Sequence, residues 1–212
     1  MYRKYIKRLL DILLGLAVII LFWWLYLIIG LLVLLFMGRP VIFLQKRPGY
    51  HEKIFGIMKF RTMKDIRDSE GRLLPDKDRL TGFGLFLRKT SLDELPEIFN
   101  ILKGEMSLIG PRPLLEEYLP WYTERERLRH SVRPGLTGLA QASGRNLLDW
   151  DKRLELDAEY AENISFGLDM KVLWMTVKEV LGHSETVAGD TSAAEGNLAA
   201  IRKARKEADE NE

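Results

Sequence analysis

Residues 88–113 read RKTSLDELPEIFNILKGEMSLIGPRP. Adjacent carboxylates, Asp93 and Glu94, stand between two cations, Arg88 and Lys89, and a Gly110-Pro111-Arg112-Pro113 turn that presents a third. Ser91-Leu-Asp-Glu94 has the spacing of a capping box, with Ser91 as N-cap and Glu94 reaching back to it. Pro96 competes with that arrangement. It lacks the N–H that would bond Leu92, so either the first turn is distorted or the helix proper starts at Pro96, where proline is tolerated. In both cases the acids lie at the positive end of a helix dipole, which favours their ionised forms. Ile98, Phe99 and Leu102 supply an apolar face, and Lys103-Gly104 suits a helix end. The stretch therefore predicts an anion site with an ionised carboxylate, a usable nucleophile, beside it.

Working outward toward the N-terminus, Ile12 to Met37 holds no charged residue. As a helix it extends about 39 Å, more than the ~30 Å hydrocarbon core of a bilayer. It is too long for the apolar region of a signal peptide, and no small-residue cleavage site precedes Gly38-Arg-Pro. Basic residues flank it on both sides, Arg3, Lys4, Lys7 and Arg8 before and Arg39, Lys46 and Arg47 after, as suits a helix that enters and leaves by one face. Asp11 is expected to pair locally with Lys7 or Arg8. Val41–Gln45 and Ile54–Phe60 are β-prone, and Arg47-Pro-Gly-Tyr between them predicts a hairpin closed by a type II turn. Lys64–Arg79 reads as a charged surface loop. Gly82-Phe-Gly84 carries no dinucleotide motif, because Leu87 replaces the third glycine and no βαβ context surrounds it.

Toward the C-terminus, Leu114–Arg129 is helix-prone but interrupted by Pro120, and its Glu and Arg residues read as a solvated face. His51, His130 and His183 lack metal-ligand spacing. Arg133–Asn146 is dense in glycine and flanked by arginines, which suits either phosphate binding or a turn-rich connector. Trp150, Leu154, Ala158 and Ala161 share one helical face with Asp157 on its flank. Val172–Leu181 is a second apolar-rich helix whose Trp174 fits a membrane interface or a core. From Ser184 onward aliphatic content falls, and Asn197–Glu210 reads as a charged helix or a disordered tail. The 212-residue length fits one globular domain with an appendage, and the lack of cysteine excludes disulfides and thiolate metal sites. A net charge of +2 does not indicate a nucleic-acid binder.

Thr90-Ser-Leu-Asp-Glu-Leu-Pro96, Asn100–Pro113 and Arg133-Pro-Gly-Leu-Thr-Gly138 with Gly144-Arg-Asn146 together resemble the bacterial sugar transferases, the monotopic phosphoglycosyl transferases, over about residues 1–182. The resemblance implies an α+β fold: a membrane-embedded, re-entrant N-terminal helix (1–38), then a catalytic domain (39–183) with a β-hairpin and amphipathic interfacial helices, then a polar tail (184–212). It implies transfer of a sugar 1-phosphate from a nucleoside diphosphate sugar to polyprenyl phosphate at the cytoplasmic face of the bacterial inner membrane. Asp93 would be the nucleophile and Glu94 the Mg²⁺ ligand. Lys59, Arg88, Arg112, Arg133 and Arg145 would bind substrate phosphates, Lys7 and Arg8 would steer the lipid head group, and Asp157 and Asp169 would take secondary substrate roles. Two departures stand out. Leu139, Ala142 and Ser143 occupy positions where relatives often carry Trp, Val and Asn, so base and sugar preference stay open. Trp23-Trp24 stands where relatives commonly have a helix-breaking Ser-Pro; re-entry is still expected, because spanning would carry the four N-terminal cations across the membrane. A membrane-anchored scaffold would need the apolar run but not the clustered acids and arginines. An aspartyl-phosphate phosphatase would need an Asp-x-Asp after a strand, absent at Asp93.

Overall fold

The computed structural model describes residues 1–144, 148–181 and 197–209. After one wide turn, Tyr2–Ile6, helix α1 runs from Lys7 to Met37, unbroken through Trp23-Trp24. Its buried residues Lys7, Asp11 and Gly15, and then Ile29, Val33 and Met37, follow one another at helical spacing. Val18, Ile19 and Tyr26 pack between those two groups. One stripe of α1 therefore faces the rest of the molecule along the whole helix, while Ile20, Trp23, Leu27, Leu31 and Leu35 are exposed. Asp11 does not pair with Lys7 or Arg8. It accepts hydrogen bonds from Ser107 Oγ and the Leu108 N–H, both at 3.0 Å, tying α1 to the domain.

Strands β1 (Ile42–Pro48) and β2 (Ile54–Phe60) form the expected antiparallel hairpin, with Ile42 opposite Phe60 and Pro48 opposite Ile54. The type II turn is absent: pairing continues through Arg47 and Pro48, Gly49 has φ −114°, and the positive φ values fall on His51 and Glu52. The charged loop contains a short helix α2 (Asp76–Arg79), followed by α3 (Gly82–Lys89), whose N-cap Thr81 accepts from the Gly84 N–H. Ser91 is left-handed and its side chain caps nothing, so no capping box forms there. Leu92–Glu94 is instead a 3₁₀ turn, and α4 (Glu97–Lys103) begins after Pro96. Gly104, at φ 87°, ends it.

Strand β3 (Ser107–Ile109) pairs in parallel with β4 (Gly135–Thr137). A Cβ at Gly135 would lie 2.1 Å from the Gly110 nitrogen and one at Gly138 2.2 Å from the Gly110 oxygen, so these glycines allow two backbones to touch. Between the strands come a 3₁₀ turn, Glu116–Trp121, and α5 (Glu124–Arg127). A capping box does occur here, between Thr123 and Glu126. The expectation of a solvated face over this region fails for Glu126 and Arg129, which are buried. The chain continues through α6 (Leu139–Ala142), α7 (Trp150–Glu162), α8 (Phe166–Leu181) and α9 (Leu198–Asp209). Trp150, Leu154, Ala158 and Ala161 are buried as their spacing requires. Helix α8 starts six residues earlier than read from the sequence and exposes Phe166, Met170, Leu173, Trp174 and Val177. At 70% exposure Trp174 is not a core residue. The described residues thus form a mixed helix and sheet fold: two small sheets, surrounding helices and a long apolar N-terminal helix packed along them.

Candidate active site

Strand β2, the 3₁₀ turn and the Gly110–Pro113 loop bring their charges to one point. Lys59 Nζ lies 2.8 Å from Glu94 Oε1 and 3.4 Å from Glu97 Oε1. Arg112 Nη2 donates to the same Glu94 oxygen at 2.7 Å. From the last turn of α3, Arg88 Nε donates to Thr62 Oγ1 at 3.0 Å. Asp93 is largely buried, yet it accepts no hydrogen bond from a described residue. All but Glu97 line a cavity of about 790 Å³.

Burial pushes the Asp93 carboxyl up to about 6, against the pull of Lys59 and with the push of Glu94. Burial alone would raise Glu94 as well, but Arg112 and Lys59 hold it well below the usual carboxylate range. Burial and the Glu94 charge lift Glu97 to about 7. Two adjacent acids thus differ: Glu94 is fixed as an anion between two cations, while Asp93 is unencumbered. Both hydrogen bonds that Glu94 accepts from described residues fall on Oε1. Among the described residues no three metal-ligating side chains converge.

Of the other residues singled out in the sequence, Lys7, Asp157 and Asp169 line the same cavity, each bonded to a neighbour within the protein, whereas Arg8 and Arg133 do not line it. Lys7 is buried against Asp169 at 2.7 Å, and Asp169 also accepts from Tyr2 and Tyr160 hydroxyls at 2.5 and 2.6 Å, so this group joins α1, α7 and α8. Arg8 donates to the Ile101 and Leu102 carbonyls, and Arg133 to that of Gly104, so both cap the C-terminus of α4. Asp157 is buried on α7 and bonds Arg129 at 2.8 Å; the same Arg129 nitrogen donates to the Arg112 carbonyl at 2.6 Å. Arg145 lies outside the described residues. Glu97 and Arg129 were not anticipated. Glu97 had a signal, since it sits three residues after Glu94 and shares its helical side; Arg129 had none.

A family model described as bacterial sugar transferase matches residues 2–183. The chain belongs to the bacterial sugar transferase family. Among the relatives of this bacterial sugar transferase, the Bacillus subtilis protein named "Uncharacterized sugar transferase EpsL" is 58% identical over 144 residues, which is 68% of this chain and 71% of that protein. The Salmonella typhimurium "Undecaprenyl-phosphate galactose phosphotransferase" is 41% identical over 161 residues, 68% of this chain and 34% of the relative. The Klebsiella pneumoniae "UDP-glucose:undecaprenyl-phosphate glucose-1-phosphate transferase" is 39% identical over 181 residues, 81% of this chain. This sugar transferase spans only 39% of that protein's length, so it corresponds to a part of these two longer relatives.

Proposed function

We propose that the chain transfers a sugar 1-phosphate from a nucleoside diphosphate sugar, a UDP-sugar, to polyprenyl (undecaprenyl) phosphate, as the first membrane step of glycoconjugate assembly. The observation that carries the reading is an unencumbered carboxylate, Asp93, within a cluster of Lys59, Arg88 and Arg112 in one cavity. A pyrophosphate repels an anionic nucleophile until cations neutralise it. An Asp93 oxygen attacks the sugar-bearing phosphorus, the bond to the bridging oxygen breaks, and the nucleoside monophosphate leaves with that electron pair. A lipid phosphate oxygen then attacks the same phosphorus and releases the Asp93 carboxylate, giving the polyprenyl diphosphate sugar. The names of the Salmonella and Klebsiella relatives point to the same acceptor. So does the cavity, which continues from the charged cluster to Leu10 and Leu14 of α1 and Met170 and Leu173 of α8. An amphiphilic acceptor needs both ends.

The donor set fits Mg²⁺, which favours one or two carboxylates plus substrate phosphates over an all-protein cage. Glu94 would hold it, through the oxygen not engaged by Lys59 and Arg112, and the ion would neutralise charge on the leaving group. The same reading puts the chain at the cytoplasmic face of the bacterial inner membrane, with α1 entering and leaving by that face at shallow depth, since an unbroken helix keeps both ends on one face only by lying along the domain within the leaflet. The stripe of α1 packed on the domain from Lys7 to Met37 supports this. A helix crossing the bilayer away from the domain would leave half of that stripe without partners.

The test is intact-mass analysis after incubation with UDP-sugars and no lipid. The parent is expected to gain one phosphosugar and Asp93→Asn to gain none. A parent that is never modified, yet turns over once lipid phosphate is added, would replace the covalent route by direct transfer.

A further inference from the structure

The family match ends at residue 183, and α9 lies beyond it. Even so, α9 joins three separate segments of the domain. Leu198 is completely buried against Leu114, Tyr118 and Trp150. Asn197 Nδ2 donates to Glu117 Oε1 at 2.8 Å. Arg202 Nη2 donates to Glu126 Oε1 at 2.6 Å and to Asp151 Oδ1 at 2.7 Å, and Arg205 Nη1 reaches Asp151 Oδ2 at 3.0 Å. The Glu116–Trp121 turn, α5 and the first turn of α7 are thereby pinned to one another.

Those contacts back the wall of the active-site cavity that α1 and α8 do not form. Leu114, Tyr118 and Trp150 line that wall. Leu114 follows Arg112 by two residues, and Trp150 lies two helical turns before Asp157, whose partner Arg129 holds the Arg112 carbonyl. The charges fit the same role. Glu126 spends Oε2 on the Thr123 N–H of its capping box, and its Oε1 is neutralised by Arg202. An unpaired carboxylate at that depth would work against the packing of α5. The connection is thus both apolar, through Leu198, and ionic, through Arg202.

We propose that α9 is a strap on the cavity, with Leu198 and Arg202 as positioning residues that act through Tyr118 and Trp150 on the binding of the nucleotide sugar. The substrate named here rests on the function proposed above. The test compares, in membranes, the parent, a chain ending at residue 196, Leu198→Asp, and Leu198→Met as the conservative control. The truncated chain and Leu198→Asp are expected to show a donor KM raised about ten-fold, with kcat within about two-fold and acceptor KM unchanged, the pattern of lost ground-state binding. Leu198→Met stays near the parent, and a synthetic peptide of residues 197–212 restores the truncated chain. A donor KM that does not change on truncation overturns the strap; so does a fall in kcat and thermal midpoint with KM constant, which marks a brace with no influence on binding. A parent that releases no monophosphate from any UDP-sugar overturns the functional reading instead. The strap is then decided by UDP binding: about ten-fold weaker binding by the truncated chain than by the parent supports it, and equal or absent binding by both overturns it.

Discussion

Replacing Asp157 by alanine removes the only carboxylate bonded to Arg129 among the described residues. Both side chains are almost fully enclosed, at 4% and 2% exposure. Breaking a buried pair by removing one partner costs about 3–5 kcal/mol, because an uncompensated charge stays behind. Against a typical total of roughly 5–15 kcal/mol, that brings a domain close to unfolding. Arg129 also holds the Arg112 carbonyl and the Tyr122 hydroxyl, so its displacement loosens the loop that aims Arg112 at Glu94. A companion variant, Asp157→Leu with Arg129→Met, removes both charges at once. Well-packed apolar replacements of buried pairs are often neutral or stabilising. The Tyr122 hydroxyl and Arg112 carbonyl lose a donor, an offset of about 1–3 kcal/mol each where burial leaves them unsatisfied. The companion should therefore recover part of the stability and none of the positioning. Urea unfolding in detergent, followed by tryptophan fluorescence, measures the first quantity, and the rate of phosphosugar attachment measures the second. A cost below ~1 kcal/mol for Asp157→Ala, or a companion with parental attachment rates, would refute the positioning of Arg112 through Arg129.

Arg112→Lys keeps the charge at Glu94 but loses the planar fork, and activity should fall roughly ten-fold or more, about 1.4 kcal/mol of transition-state stabilisation; unchanged turnover would reduce Arg112 to a surface cation. His130 has its imidazole lowered to about 3, by burial first and then by Arg129. Its folded form therefore binds fewer protons than its unfolded form below the usual value of about 6.5, and stability is lost as pH falls through that point, by up to ~1.4 kcal/mol per unit. Between pH 7 and 5, His130→Asn should lose about 2 kcal/mol less than the parent; parallel curves would remove His130 from the acid response. For topology, single cysteines at Tyr2 and Asn163 in sealed right-side-out spheroplasts should resist an impermeant maleimide until permeabilisation, whereas labelling of position 2 alone would establish a spanning helix.

Much of the fold could be read from local pattern. The apolar run, the hairpin and the α7 face each rest on periodicity, which needs no knowledge of neighbours, and the Asp93–Glu94 pair with Arg88 and Arg112 lies within one short stretch. What escaped reading depends on contacts between distant segments. Lys7, Arg8 and Arg133 look like free cations in a sequence, yet each is taken up by Asp169 or by the carbonyls that end α4. Ser91 and Thr123 both head capping-box spacings, and only the second forms one; Ser91 is left-handed and leads into a 3₁₀ turn. Leu198 is a lone leucine in a charged helix; only the pocket made by Leu114, Tyr118 and Trp150 explains its burial.

The packed stripe of α1 also bears on how such a chain can be engineered. A generic membrane anchor is a tether, exchangeable for any hydrophobic helix of sufficient length. Here Asp11 supplies hydrogen bonds to Ser107 and Leu108, and Ile29, Val33 and Met37 form one cluster with Phe60 and Leu87. Deleting α1 to obtain a water-soluble fragment would open that cluster and orphan those donors, and grafting a foreign anchor would do the same. Redesign for solubility therefore has to repaint the outer face of α1 and leave its inner stripe untouched.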